Sequence, residues 1–170
     1  MKTIFIQGMC FSGKSTIGKY LGEAVDIQFL DSRDIFYQKH NVHDLEFLEK
    51  YGKDSFCKAE KDSFLQDFGE KIIALSGSAL YLEEVMNNVK QNGILIWLKP
   101  TIDVILNRKE LEESSGKIRP IVFPNGINSF NELFQSRESI YKKWNPHIIV
   151  SISNNDTVDC IVKKIISKLD

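Results

Sequence analysis

Five short apolar runs recur along the chain, and segments in which apolar residues have helical spacing separate them. Each run has the length of a strand, and polar residues follow it. The runs lie at residues 2–7, 27–31, 72–75, 94–98 and 147–150. Regular alternation of strands and helices is typical of βαβ units, whose right-handed crossovers produce a parallel sheet. The pattern therefore predicts an α/β fold with a five-stranded parallel sheet, helices on both faces and a ligand site at the carboxyl ends of the strands.

The segment between the second and third runs, residues 32–70, has helical spacing and no strand pattern. Its apolar positions are Leu45, Phe47, Leu48, Tyr51, Phe56, Phe64, Leu65 and Phe68. We expect two or three helices here, forming an insertion suited to covering a substrate. The alternative is ordinary helical core, which is the better interpretation for most of these aromatic residues.

A phosphate-binding motif, G-x-x-x-x-G-K-[ST], follows the first apolar run directly and opens a helix. Its two glycines allow successive backbone N–H groups to surround a phosphate at the helix N-terminus. Lys14 would neutralise the β- and γ-phosphates, and the Ser15 hydroxyl would coordinate Mg²⁺. A glycine-rich turn after an edge strand is the alternative, but strand, spacing, Lys and hydroxyl all coincide. The motif predicts a nucleoside triphosphate as ligand, and its predicted binding residues are Gly8, Ser12, Gly13, Lys14, Ser15 and Thr16.

Residues 110–128 form a polar stretch without a clear period, and the stretch includes Gly116, Pro120, Pro124 and Gly126. It is either a plain surface loop or a lid over the phosphates. The cations Lys117 and Arg119 lie inside it, which favours a lid when a phosphate-binding motif is present.

Composition narrows the possible partners of the chain. Its 170 residues are the length of one domain, and 22 basic against 23 acidic residues give a net charge of −1. No charge run suggests a nucleic-acid groove or a membrane patch, and no signal peptide or membrane span is apparent. The three cysteines and three histidines lack disulfide or metal-ligand spacing. We expect a single cytoplasmic domain, residues 1–170, that binds small molecules.

The chain resembles the shikimate kinase family, small P-loop kinases, over nearly its whole length. The resemblance rests on the phosphate-binding motif, on residues 31–33 after the second strand, on residues 47–57 with Glu60 beyond, on the 76–78 turn, and on residues 97–99 and 119–122. The pair Arg137 and Tyr141 completes it. The resemblance implies a P-loop kinase fold, ATP and Mg²⁺ as cofactors, a small anionic acceptor and a monomer.

The resemblance also implies roles for individual residues. Asp31 would hold Mg²⁺ through water, Arg119 would reach from the lid to the transferring phosphate, and Arg137 would bind the substrate carboxylate. The planar Arg side chain matches carboxylate and phosphate oxygens bidentately. Arg108 would flank the adenine. Structural alternatives stay open, because Asp31 can cap a helix and Arg137 can be an ordinary helix residue.

The predicted acceptor site departs from the family pattern. Arg33 stands where the family has its second Asp, the expected proton acceptor, and Cys57 stands in place of a second carboxylate-binding Arg. Ser76 and Ser78 replace two glycines on either side of Gly77. Losing one charge-assisted contact typically costs about 1.5–3 kcal/mol, so together these changes should abolish ordinary shikimate binding unless something compensates.

Asp34 and Lys58, each one residue beyond an altered position, are the candidates for compensation. Asp34 is then the predicted general base. Three hypotheses remain: a kinase of a small anionic acceptor, which we favour and for which shikimate is the most nameable candidate; an ordinary shikimate kinase with a rearranged pocket; and an ATP-binding protein that has lost acceptor chemistry and serves regulation or a partner.

Overall fold

The strands of the computed structural model form one parallel sheet, and helices connect them in sequence. The structure describes residues 2–116, 121, 124 and 126–169. The strands are β1 (Thr3–Gln7), β2 (Phe29–Asp31), β3 (Ile72–Ala74), β4 (Gly93–Pro100) and β5 (Ile148–Ile152). The α-helices of the described part are α1 (Lys14–Val25), α2 (Ser32–His40), α3 (Asp44–Phe64), α4 (Glu83–Asn92), α5 (Ile102–Ser114), α6 (Phe130–Lys143) and α7 (Val158–Leu169), with a 3₁₀ turn at Ala79–Tyr81.

The sheet has the strand order β2-β3-β1-β4-β5, and every pairing is parallel. All five residues of the central strand β1 are buried, and Phe5 pairs with Ile73 on one side and Leu95 on the other. A strand that is covered on both faces is nearly all apolar, which is why the sequence marked it clearly. The predicted α/β fold and all five predicted strands are confirmed, although β4 is longer than its apolar run.

Side chains alternate along β1 between two cores, one on each face of the sheet. Ile4 and Ile6 pack with residues of α1 and α7, such as Leu21 and Ile165. On the opposite face, Phe5 packs with residues of α3 and α4 that include Phe64, Val85 and Met86. Helices therefore cover both faces of the sheet, as the sequence predicted.

The insertion between β2 and β3 consists of α2 and α3 and contains no strand. Gly52 interrupts α3 with φ of 76°, a backbone conformation that favours glycine, so the helix is in effect two segments joined at that residue. Aromatic contacts join the insertion: the Phe36 ring lies 5.4 Å from the ring centroids of both Phe47 and Phe56. Whether this insertion binds a substrate stays a prediction at this point.

The predicted irregular segment 110–128 begins later than the sequence suggested. Helix α5 continues to Ser114, where a Lys109–Glu113 ion pair of 2.7 Å joins positions four residues apart. Residues 110–114 are therefore helical, and the sequence boundary was wrong there. Lys117, Arg119 and Pro120 lie outside the described residues, so the lid remains a prediction. Within the described ranges, no helix is long and apolar enough to cross a membrane.

Candidate active site

A cavity of about 870 Å³ opens at the carboxyl edge of the sheet. This is the size range of small-molecule and cofactor sites. It brings together residues from the phosphate-binding motif, from the ends of β2 and β3, and from helices α3, α5 and α6. The predicted site residues that line it are Gly13, Lys14, Ser15, Thr16, Asp31, Arg33, Cys57, Ser76, Gly77, Ser78, Arg108 and Arg137.

The start of α1 is prepared for an anion. Gly13 precedes the helix with φ of 91°, and no side chain caps the first N–H groups of α1. Uncapped N–H groups at a helix N-terminus bind phosphate well. A Cβ on Gly8 would lie 2.8 Å from both the Leu98 carbonyl oxygen and the Ser12 Oγ, so the loop closes only with glycine there.

Lys14 lies across the same loop. Its Nζ donates to the carbonyl oxygens of Gly8 at 2.8 Å and Met9 at 3.0 Å. The Lys14 ammonium is thus held beside the N-terminus of α1, where it could also bind a phosphate oxygen. Gly8 and Ser12 are buried behind the loop and shape it without lining the cavity.

Asp31, at the end of β2, meets the phosphate-binding loop. Its Oδ2 accepts a hydrogen bond from Ser15 Oγ at 2.5 Å, and its Oδ1 accepts from the Arg33 backbone N–H at 3.1 Å. Burial raises the pKa of Asp31, but these hydrogen bonds and the Arg33 charge outweigh it and hold the pKa below its usual value. The residue therefore caps α2 and stays ionised. A carboxylate beside a hydroxyl is the oxygen donor set that suits Mg²⁺.

Arg33 also faces the cavity. Its Nε lies 3.5 Å from Asp31 Oδ1, although 57% of the side chain remains exposed. The neighbouring Asp34 is exposed on α2 and does not line the cavity, and Lys58 on α3 is exposed outside it as well. The structure therefore does not support Asp34 as general base or Lys58 as a substitute cation. A step of one helical residue turns a side chain by about 100°, which directs both away from the cavity.

A buried carboxylate, Glu60, forms one wall of the cavity. It is 4% exposed, and its Oε1 accepts a hydrogen bond from Ser78 Oγ at 2.8 Å. Ser76 Oγ lies 3.4 Å from Ser78 Oγ and accepts from the Ala79 backbone N–H. Burial raises the pKa of Glu60, and the two serine hydroxyls oppose that rise. The 76–78 turn thus supplies hydroxyls to a buried carboxylate.

Cys57 lies one helical turn before Glu60 and lines the same cavity. Burial raises the pKa of the Cys57 thiol, and the Glu60 charge raises it further. A thiol with a raised pKa is neutral and cannot act as an anionic or cationic partner for a substrate.

Arg137 is the buried cation of the cavity, only 6% exposed on α6. Its Nη1 makes a weak hydrogen bond to Met9 Sδ at 3.7 Å, and its guanidinium carbon lies 5.9 Å from the Tyr81 ring centroid. Among the described residues, its Nε has no hydrogen-bond acceptor. Gly77 makes room for this side chain, since a Cβ there would lie 3.0 Å from Nη1. Arg137 is thus no ordinary surface residue.

Arg108 borders the nucleotide end of the cavity from α5. Its Nη1 donates to the Phe11 carbonyl oxygen at 3.2 Å and lies 3.3 Å from where a Gly13 Cβ would be. Burial lowers the pKa of Arg108. The side chain is thus fixed beside the phosphate-binding loop, while its contact with adenine stays a prediction.

Sequence reasoning missed several residues of the cavity wall, among them Asp44 and Lys53 on α3 and Tyr81 after the 76–78 turn. Glu60 had entered only through the family resemblance. The one available signal was the three-residue spacing of Cys57 and Glu60, which places both on one helix face. Asp44 and Lys53 carried no such signal, because their place depends on how α3 packs against the rest of the insertion.

Comparison with known proteins matches the part of the chain that forms the cavity. A family model described as shikimate kinase matches residues 11–170. The chain is 27% identical to a shikimate kinase of Sulfurihydrogenibium sp., with 99% of this chain and 98% of that protein covered. It is 30% identical to one of Staphylococcus aureus, with 86% and 85% covered.

Solved structures agree in fold. The shikimate kinase of Acinetobacter baumannii in complex with shikimate superposes with a TM-score of 0.78 and 20% identity, covering 99% of this chain and 93% of that one. The family model spans more than nine-tenths of the chain and includes most of the phosphate-binding motif and the whole acceptor wall. The chain therefore belongs to the shikimate kinase family of ATP-dependent P-loop kinases.

Proposed function

We propose that this protein transfers the γ-phosphoryl group of Mg²⁺-ATP to a hydroxyl of a small acceptor that carries a carboxylate. The observation that supports it best is a single cavity that holds a phosphate-binding helix N-terminus at one end and the buried, incompletely paired Arg137 at the other. A buried guanidinium without a carboxylate partner is costly, and a substrate carboxylate would offset that cost.

The residues at the nucleotide end have separate tasks in this proposal. The first turn of α1 binds the β-phosphate, Lys14 neutralises the β- and γ-phosphates, and Arg108 flanks the adenine. Ser15 and Asp31 would hold Mg²⁺, which spreads charge over the phosphate oxygens when bound. Arg119 would supply a further cation from the lid.

In the transfer, the acceptor oxygen bonds to the γ-phosphorus and the bond from that phosphorus to the β–γ bridging oxygen breaks. ADP leaves, and the hydroxyl proton is released to solvent. The transition state of phosphoryl transfer is loose, so positioning and charge stabilisation outweigh base catalysis. The absence of Asp34 from the cavity wall is therefore compatible with turnover.

Shikimate is the acceptor that the family resemblance names, but the acceptor wall favours another molecule. The Acinetobacter baumannii enzyme was solved in complex with shikimate. In this chain Arg33, Cys57, Ser76 and Ser78 occupy positions where the resemblance implies an Asp, an Arg and two glycines. We infer that the acceptor is a small hydroxy acid other than shikimate.

ADP release from purified protein in the presence of Mg²⁺-ATP tests the proposal, with and without millimolar shikimate and with a panel of small hydroxy acids. Lys14→Ala serves as the blank for both binding and turnover. ADP release that requires one of the added hydroxy acids supports the proposed kinase activity. ADP release that requires shikimate supports the hypothesis of a shikimate kinase with a rearranged pocket.

A slow ATPase that no acid stimulates, together with micromolar ATP binding, would instead favour a nucleotide-binding protein without acceptor chemistry. Equal ATP binding by the wild-type chain and Lys14→Ala would refute the nucleotide site itself. Measurements on the wild-type chain and Lys14→Ala therefore distinguish loss of acceptor chemistry from absence of a nucleotide site.

A further inference from the structure

Two buried ionisable side chains, the acid Glu60 and the base Arg137, line the cavity, and each has a polar atom without a hydrogen-bond partner among the described residues. Glu60 Oε1 accepts from Ser78, but Glu60 Oε2 is buried and has no partner among the described residues. The same holds for Arg137 Nε. Buried polar atoms are nearly always paired in folded proteins, so two such atoms on one cavity wall indicate a ligand that completes both.

Glu60 and Arg137 do not satisfy each other. No ion pair joins them, although the Arg137 charge is close enough to lower the pKa of Glu60. The 76–78 turn contacts both side chains: Ser78 donates a hydrogen bond to Glu60, and a Cβ on Gly77 would lie 3.0 Å from Arg137 Nη1. The cavity wall therefore presents one basic and one acidic contact point that are not paired with each other.

Further groups near Glu60 make that end of the cavity more negative. Asp44 lines the cavity, and its charge raises the pKa of Glu60, so the two carboxylates lie within electrostatic reach. Cys57, on the same face of α3 as Glu60, contributes a neutral thiol. Two cations oppose this: Arg137, whose charge lowers the pKa of Glu60, and Lys53, whose charge lowers the pKa of Cys57 but whose exposed side chain is partly screened by water.

We propose that the acceptor carries a protonated amine as well as a carboxylate, with the carboxylate on Arg137 and the ammonium on Glu60 beside Asp44. The substrate class is thus a small hydroxy-amino acid, and this inference rests on the proposed kinase function. It names a contact that the family resemblance does not supply, because that resemblance implies a cation at position 57 rather than one in the ligand.

An ammonium fits the Glu60 end better than a hydroxyl does. A hydroxyl donates one hydrogen bond to Glu60 Oε2 but leaves the charge of the two carboxylates unbalanced. An ammonium has three donors and a positive charge, so it can serve Glu60 and Asp44 together. Hydrogen bonds to charged groups are also about twice as strong as neutral ones.

The test compares matched pairs of probes that differ only in the amine. L-homoserine is paired with 2,4-dihydroxybutyrate and L-serine with glycerate, and shikimate is included as a third type of hydroxy acid. Calorimetric binding to the full chain is measured with and without Mg²⁺-ADP. We expect the amine member of at least one pair to bind about 10- to 150-fold tighter than its partner.

Variants then assign the preference to its residues. Glu60→Gln should shrink the amine preference to a small factor, while Arg137→Lys should weaken both members of a pair. Asp54→Asn, which removes an exposed carboxylate of the same helix outside the cavity wall, is the matched control and should preserve the preference. Unchanged thermal unfolding and ATP binding show that each variant is folded. If Glu60→Gln fails to fold, Asp44→Asn, which removes the neighbouring carboxylate of the wall, replaces it and should also reduce the amine preference.

Equal or tighter binding of the amine-free members would overturn the inference, as would an amine preference that survives Glu60→Gln. Absence of binding by every probe, with ATP binding intact, would overturn it as well. These failures leave the nucleotide site standing. Absence of ATP binding by the wild-type chain, or equal ATP binding by the wild-type chain and Lys14→Ala, would refute the proposed function itself, so the two failures are distinguishable.

Discussion

Cys57→Arg places a guanidinium where the family resemblance implies one, and its effect on shikimate follows from the structure. Cys57 and Glu60 are three residues apart on α3, so a longer side chain at position 57 lies on the same helix face as Glu60. Glu60 Oε2 is buried without a partner in the described part of the chain. The new guanidinium would therefore find a carboxylate acceptor on the protein and still present donors to the cavity.

The size of the effect follows from one charge-assisted contact. Such a hydrogen bond contributes about 1.5–3 kcal/mol, which corresponds to about 10- to 150-fold in the dissociation constant of shikimate. The same guanidinium would compete with a ligand ammonium at Glu60. A hydroxy-amino acid should therefore bind more weakly to Cys57→Arg than to the wild-type chain, so the two ligands move in opposite directions.

Calorimetric titration of shikimate and of L-homoserine into both proteins measures the two shifts. Cys57→Gln is the matched control, because its side chain is long and polar but uncharged. Equal shikimate affinity in Cys57→Arg, Cys57→Gln and the wild-type chain, with all three folded, would refute the assignment of position 57 to the acceptor site. An equal increase in shikimate affinity in Cys57→Arg and Cys57→Gln would show that side-chain size, rather than charge, causes the gain.

Three further predictions address other parts of the chain. Gly77→Ala should weaken acceptor binding by up to about tenfold and leave ATP affinity unchanged in calorimetry, since its Cβ would press on Arg137 at 3.0 Å. Burial raises the pKa of Glu60 above 4.5 in the folded state, so the free energy of unfolding of the wild-type chain should fall as pH rises from that value and the buried acid ionises. Glu60→Gln lacks this acid, so its free energy of unfolding should increase relative to wild type by up to about 1.4 kcal/mol per pH unit. Urea unfolding at several pH values measures the difference, and a difference that does not change with pH would contradict the prediction. Gly18→Ala should destabilise the fold by about 1–3 kcal/mol, because its Cβ would lie 2.2 Å from the Phe29 ring, and the loss should be smaller in a Phe29→Ala background.

The nucleotide half was predictable because its information is local. The phosphate-binding motif is contiguous, and its flanking strand and helix can be recognised from adjacent residues. Asp31 joined it because parallel strands end at the same edge, which brings the end of β2 to the loop after β1. The hydrogen bond of 2.5 Å between Ser15 and Asp31 is the contact that this topology implies.

The acceptor half was not predictable in the same way, because α3 changes direction at Gly52. A helical period does not continue across that break, so the face of the residues before Gly52 does not fix the face of Cys57 and Glu60 after it. Lys58 was a candidate for compensation, but the helical step of one residue from Cys57 turns it out of the cavity, and Lys53 lines the wall. Likewise Asp44 reaches the wall because α3 packs its aromatic residues on Phe36 of α2, which no local pattern records.

The unusual residues at 57, 76 and 78 are physically linked through Glu60. A buried carboxylate needs compensation, which a guanidinium at position 57 would supply with its charge. In this chain the compensation comes from the hydroxyls of Ser76 and Ser78, which are dipoles and leave Glu60 Oε2 without a partner. The hydroxyls hydrogen-bond to the Glu60 carboxyl group but carry no charge that would balance it. The three replacements therefore act together to leave a negative contact point open to the cavity, which a cationic group of the acceptor can complete.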